Sequence, residues 1–134
     1  MTGALVGIGT GALVGIGIDS VDIGRFGEML ARRPGLAPRL FTPGEQRYAA
    51  GLANPVPTLA ARFAAKEAVM KALGVGLGAF GWADVEVVRS PGGAPDLVVT
   101  GRAASLASGH GVGAWLLSIT HTATVASAVV AAVA

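Results

Sequence analysis

Between Thr58 and Leu73 the chain reads TLAARFAAKEAVMKAL, a segment that is helix by every local criterion. It is rich in Ala, Leu, Met, Lys and Glu, and Gly74 is placed to end it. At about 100° per residue, Leu59, Phe63, Val69, Met70 and Leu73 form one stripe. The opposite side is almost all alanine: Ala60, Ala61, Ala64, Ala65, Ala68 and Ala72. A helix that is apolar or small on every side is buried on every side. The segment therefore predicts a domain built around a central helix. Yet the same helix carries Arg62, Lys66, Glu67 and Lys71. An unpaired buried charge is costly, so these four need partners, supplied by each other or by a ligand. Glu67 and Lys71, spaced i,i+4 with Glu first, suit a surface ion pair. Three cations against one anion nevertheless leave positive charge free for an anionic ligand.

The flanking sequence supplies the rest of an α+β domain. Thr2–Gly9 reads TGALVGIG and Thr10–Gly17 repeats it. Two copies are too few for a solenoid. The second copy runs into Ile18-Asp19 and is read as the first strand; the first copy, within residues 1–10, is read as an N-terminal extension. Val21 to Arg33 reads as a helix capped by Asp22, with Ile23, Phe26 and Leu30 on one face, ended by Pro34-Gly35. Thr42-Pro43-Gly44-Glu45 is a helix start, with Thr at the N-cap, Pro at N1 and Glu at N3; that helix stops near Gly51, and Asn54 to Pro57 is a loop. After the Gly-rich stretch Gly74–Gly81, Ala83–Arg89 and Asp96–Thr100 alternate as strands around the turn Ser90-Pro91-Gly92-Gly93, a hairpin. Gly101–Gly109 is a short helix. Ala114–Thr120 and Thr124–Val133 are two further strands joined at His121-Thr122-Ala123.

A chain of 134 residues is one domain. It is 52% apolar and only 13% charged, where about 25% charged is usual. A small domain with so few charges exposes apolar patches unless part of its surface is covered, which points to an oligomer. The absence of cysteine excludes thiol nucleophiles and zinc–thiolate sites, and nothing requires an oxidising compartment. Eight of the ten Lys and Arg residues lie between Arg25 and Lys71, a basic half suited to phosphates or an acidic protein. Dense basic runs with interleaved aromatics are missing, so nucleic acid is not expected as a partner. The first eighteen residues are apolar but Gly-interrupted, with no preceding Lys or Arg. They fit neither a signal peptide nor a membrane span, and a cytoplasmic enzyme is expected.

Two further side chains stand out. Asp19 directly follows the apolar strand GALVGIGI, where a carboxylate is placed to hold a metal or substrate. One Asp from a strand and one Glu from a helix make a sparse oxygen site of the kind that suits Mg²⁺, which keeps several waters and completes its shell with substrate phosphates. His121 lies at a strand end beside Ser118, Thr120 and Thr122. Gly76-Leu77-Gly78-Ala79-Phe80-Gly81 matches the dinucleotide pattern GxGxxG, but it follows a helix and leads to a strand, the reverse of the order that gives that motif meaning.

Taken together, GIGIDSVDIGRF (Gly15–Phe26), FTPGEQR (Phe41–Arg47), ARFAAKEAVMKALG (Ala61–Gly74), GGAPDLVVTG (Gly92–Gly101) and SITHTATVASAVV (Ser118–Val130) resemble the holo-acyl-carrier-protein synthases. These are the short, single-module phosphopantetheinyl transferases. The resemblance runs from about Val14 to the C-terminus. It implies the 4′-phosphopantetheinyl transferase fold, a mostly antiparallel sheet packed on a long central helix, assembled as a homotrimer with active sites between subunits. It implies that Asp19 and Glu67 hold Mg²⁺ with the coenzyme A pyrophosphate, and that Lys71 neutralises that pyrophosphate. Arg62 and His121, with Thr122, fall on the coenzyme A phosphate side. Arg25 falls where a basic residue meets the acidic acyl carrier protein, with Arg32, Arg33 and Arg39 nearby. Ala94 stands where the hairpin motif often has a basic residue, and Thr122 where many members have an acid.

The implied reaction moves 4′-phosphopantetheine from coenzyme A to a carrier serine, leaving 3′,5′-ADP. Two other readings stand beside it: a non-catalytic trimeric binding domain of the same fold, and a transferase dedicated to a polyketide or peptide carrier instead of the fatty-acid one. Intact Asp19, Glu67 and Lys71 favour an enzyme.

Overall fold

The computed structural model describes residues 11–134; the expected N-terminal extension, residues 1–10, lies outside them. The elements in order are strand β1 (Leu13–Asp22), helices α1 (Ile23–Arg32), α2 (Leu36–Leu40), α3 (Pro43–Ala50) and α4 (Val56–Leu73), a 3₁₀ turn (Trp82–Asp84), strands β2 (Val85–Arg89) and β3 (Pro95–Val99), helix α5 (Gly101–Gly109), and strands β4 (Ala114–His121) and β5 (Val125–Val133). Among the described residues the strands form two antiparallel sheets, one in the order β1-β5-β4 and one from the β2-β3 hairpin. The expected α+β class with a central helix holds. No helix among the described residues is long and apolar enough to cross a membrane.

Local chemistry accounts for most element ends. Asp22 caps α1 by accepting the Arg25 amide at 2.8 Å. Thr42 and Glu45 form a full capping box on α3, and Pro43 occupies its first turn. Gly74 ends α4 in the left-handed region, at φ 68°. Several boundaries differ from the sequence reading: α1 starts at Ile23 because Val21 and Asp22 still belong to β1, and β3 runs from Pro95 to Val99. Helix α4 starts at Val56 instead of Thr58, because Pro57 sits in the first turn, where its missing N–H costs nothing. Ala83 and Asp84 belong to the 3₁₀ turn and not to β2. The short helix α2 was not expected at all.

Helix α4 packs across β1 and β5, with alanines toward the sheet. Twelve of its residues are buried, among them Arg62 and Lys66. The approach of β1 is extreme: a Cβ on Gly15 would lie 1.9 Å from the Ala72 carbonyl oxygen, and one on Gly17 would lie 1.9 Å from that of Ala68. Glycine at alternate positions is therefore what lets strand and helix backbones touch. On the other face of β1, Ile16 and Ile18 are 61% and 64% exposed. They pair across the sheet with Ala131 and Val129 of β5, so an apolar sheet face looks outward. Away from the sheet, Phe26 packs on Phe41 and Phe63, and Phe63 on Trp82, with ring centres 5.1–6.3 Å apart. This run seats α1 and α2 against the N-terminal half of α4.

Candidate active site

Asp19 sits within β1, which continues to Asp22, and not at a strand end as the sequence reading had it. Its position in the pleat matches Gly15 and Gly17, so its side chain points toward α4. Lys71 Nζ lies 3.0 Å from Asp19 Oδ1 and donates to the Ile18 carbonyl at 2.9 Å. The ion pair of Lys71 is thus with Asp19, and not the i,i+4 pair with Glu67. Glu67 lines one cleft of about 540 Å³ together with Asp19, Asp22, Arg25, Glu28 and Phe63. Burial first, and then the negative charge of Asp19, push the Glu67 carboxyl above its usual range, while Lys71 opposes the rise. A carboxylate whose affinity for positive charge is raised by a second carboxylate beside it suits a divalent cation. Among the described residues there is no cluster of three or more acids or histidines. A two-carboxylate site fits Mg²⁺, which takes few protein ligands.

Arg62 and His121 do not share that cleft. They line a second one of about 280 Å³ with Thr58, Arg89, Ile119 and Thr120. Arg62 is only 6% exposed, and its Nε has no hydrogen-bond partner among the described residues. Its guanidinium lies 4.7 Å from the centre of the Tyr48 ring, and that of Arg89 lies 5.4 Å from the same ring. Burial is the main cause that lowers the Arg62 pKa from its ordinary value; Glu45 and Tyr48 oppose it. A desolvated guanidinium with spare donors is an anion receptor. His121 Nδ1 lies 3.2 Å from the Thr122 carbonyl. Thr122 lines neither cleft; its hydroxyl accepts the amides of Thr124 and Val125 at 3.2 and 3.1 Å and so shapes the β4-β5 turn.

The fourth charge of the helix is not free for a ligand. Lys66 is fully buried, with Nζ 2.8 Å from Glu45 Oε1, so only Arg62 remains as an unpaired cation on α4 among the described residues. Glu45, Tyr48 and Arg89 were not singled out for these roles in the sequence. A fully buried lysine demanded an acid, but the sequence does not say which; Glu45 had already been accounted for by its capping box.

Residues 15–132 match the family model of the 4′-phosphopantetheinyl transferase superfamily. The chain belongs to this superfamily. Among curated phosphopantetheinyl transferases of this group, the holo-[acyl-carrier-protein] synthase of Frankia casuarinae is 51% identical over 129 residues, covering 96% of this chain and 98% of the relative. That of Moorella thermoacetica is 47% identical over 112 residues, covering 84% and 88%. The crystal structure of the Bacillus anthracis holo-(acyl-carrier-protein) synthase in complex with coenzyme A (3′,5′-ADP) superposes with a TM-score of 0.77 at 33% identity, covering 91% of this chain and 97% of that one.

Proposed function

We propose that this transferase is a Mg²⁺-dependent holo-acyl-carrier-protein synthase, moving 4′-phosphopantetheine from coenzyme A to a serine of an apo acyl carrier protein. The observation that carries the reading is the convergence of Asp19 and Glu67 on one cleft, with Lys71 bonded to Asp19. In the reaction the serine oxygen forms a bond to the β-phosphorus, the bond to 3′,5′-ADP breaks, and the hydroxyl proton leaves. Asp19 and Glu67 would hold Mg²⁺, which would supply charge to offset the pyrophosphate. Lys71, half exposed, swings its ammonium between Asp19 and the phosphate oxygens and stabilises the departing ADP. Arg62, already desolvated and short of acceptors, binds a further phosphate of coenzyme A beside His121. The serine proton passes to a water or a carboxylate in the Asp19 cleft, and Arg25 on its wall receives the acidic carrier.

The two clefts account for two ends of one ligand if they meet across an interface. The outward apolar face of Ile16, Ile18, Val129 and Ala131 supports a homotrimer with active sites between subunits. The test is to incubate the protein with coenzyme A, Mg²⁺ and apo-carriers of fatty-acid, polyketide and peptide type. Intact mass spectrometry is expected to show a phosphopantetheine gain on at least one of them, abolished by chelator. No gain on any carrier would leave a binding domain, and a gain indifferent to chelator would remove the metal.

A further inference from the structure

Helix α4 must present Glu67 to Asp19, yet its own surface says little about which way it should face. It is apolar or small all round, so hydrophobic burial discriminates weakly between rotations about its axis. The alanines Ala60, Ala61, Ala64, Ala65, Ala68 and Ala72 make the faces that meet the sheet smooth. One side chain discriminates sharply. Lys66, next to Glu67, is 0% exposed, and its ammonium lies within hydrogen-bond reach of Glu45 Oε1 at 2.8 Å, the Trp82 carbonyl at 3.0 Å and the Val85 carbonyl. Three acceptors saturate its three donors. Glu45 is equally fixed: Oε1 accepts the Thr42 amide at 3.0 Å, and Oε2 accepts the Val87 amide at 2.9 Å. The pair therefore joins the start of α3, the 3₁₀ turn and strand β2 to one point on α4. Turning α4 by one residue, about 100°, takes Lys66 away from all three acceptors and leaves Glu45 buried without its countercharge, a heavily penalised state.

We infer that the buried Lys66–Glu45 pair is a rotational lock on α4 that aims Glu67 at Asp19. Lys66 is on this account a positioning residue, touching neither substrate nor metal. Buried ion pairs are weak sources of net stability, and register is their best-attested use. The inference rests on the metal role proposed for Asp19 and Glu67.

The experiment measures coenzyme A binding by calorimetry across a Mg²⁺ titration, for the unaltered protein and for Lys66→Met/Glu45→Gln. The double variant removes both charges and keeps an acceptor for the α3 cap. It is expected to stay folded and to need about tenfold more Mg²⁺, or beyond, for half-maximal enhancement of coenzyme A affinity, the size of effect seen when groups that orient ligands are lost. Affinity in chelator is expected to change little. A purely structural role lowers the folded fraction without moving that midpoint, because the midpoint does not depend on how many molecules are folded. An unchanged midpoint overturns the lock, and so does a double variant that fails to fold, since the pair is then needed for the fold itself. If Mg²⁺ does not strengthen coenzyme A binding in the unaltered protein, the functional reading fails instead.

Discussion

Replacing Gly17 with alanine tests how the carboxylates are brought together. The new Cβ would lie 1.9 Å from the Ala68 carbonyl oxygen, and ordinary contact begins at 3.4 Å. Strand and helix must therefore part locally by about 1.5 Å. The obstruction is backbone, so no side-chain rotation relieves it. Overpacking of this kind costs about 1–3 kcal/mol, occasionally more. Removing a strand glycine returns about 0.5–1 kcal/mol through lower unfolded-state entropy. The net expectation for Gly17→Ala is a loss of about 1–2 kcal/mol, measured by urea unfolding at one fixed protein concentration. Function should suffer more than stability. Asp19 lies two residues further along the same face of β1, and a misplacement of about 1 Å can cost on the order of a hundredfold in rate. Carrier modification followed by mass spectrometry should show a fall of that order in protein that remains folded. Full stability together with full turnover would refute the close packing of β1 on α4 and, with it, the geometry of the site.

Glu67→Gln is expected to abolish transfer while leaving the fold and assembly intact. The folded state raises the Glu67 pKa, so it favours the neutral form, and the charged carboxylate costs stability above the raised pKa. In chelator at neutral pH the variant should unfold later than the unaltered protein, an advantage that vanishes below the usual carboxylate range and is read from thermal unfolding at several pH values. Arg62→Met should leave stability unchanged or higher, because the guanidinium is buried without an ion pair, and should weaken coenzyme A binding about tenfold or more by calorimetry. Ile18→Lys places a charge on the exposed sheet face and should convert an oligomer to monomers by light scattering; a persistent trimer would mean that another face assembles.

Much of this molecule is written locally. The ends of α5 coincide with the residues Gly101–Gly109 read from sequence. The capping box at Thr42 and Glu45, the Asp22 cap and the Gly74 terminator are all set by residues within a turn of one another. Elements that escaped, such as α2 and the 3₁₀ turn, are short and lack such signals; the turn is held by distant partners, Lys66 on the Trp82 carbonyl and the Thr100 amide on that of Asp84. The glycines of β1 were read as part of an apolar strand; that two of them are where a helix backbone touches needed the helix to be in place.

The sequence by itself determined that a small-faced helix with four charges lies at the centre, and it singled out Asp19 as the carboxylate to set beside them. It did so because helix periodicity and residue type are properties of neighbours. Only the tertiary structure decided the partners. It gave Lys71 to Asp19 across a separation of 52 residues, took Lys66 out of the site by burying it with Glu45, and put Arg62 in a different cleft from Glu67. Charges on one helix diverge by about 100° from residue to residue. Which side chain meets which is then set by the elements that happen to pack on each face, and that arrangement exists only once the chain has folded.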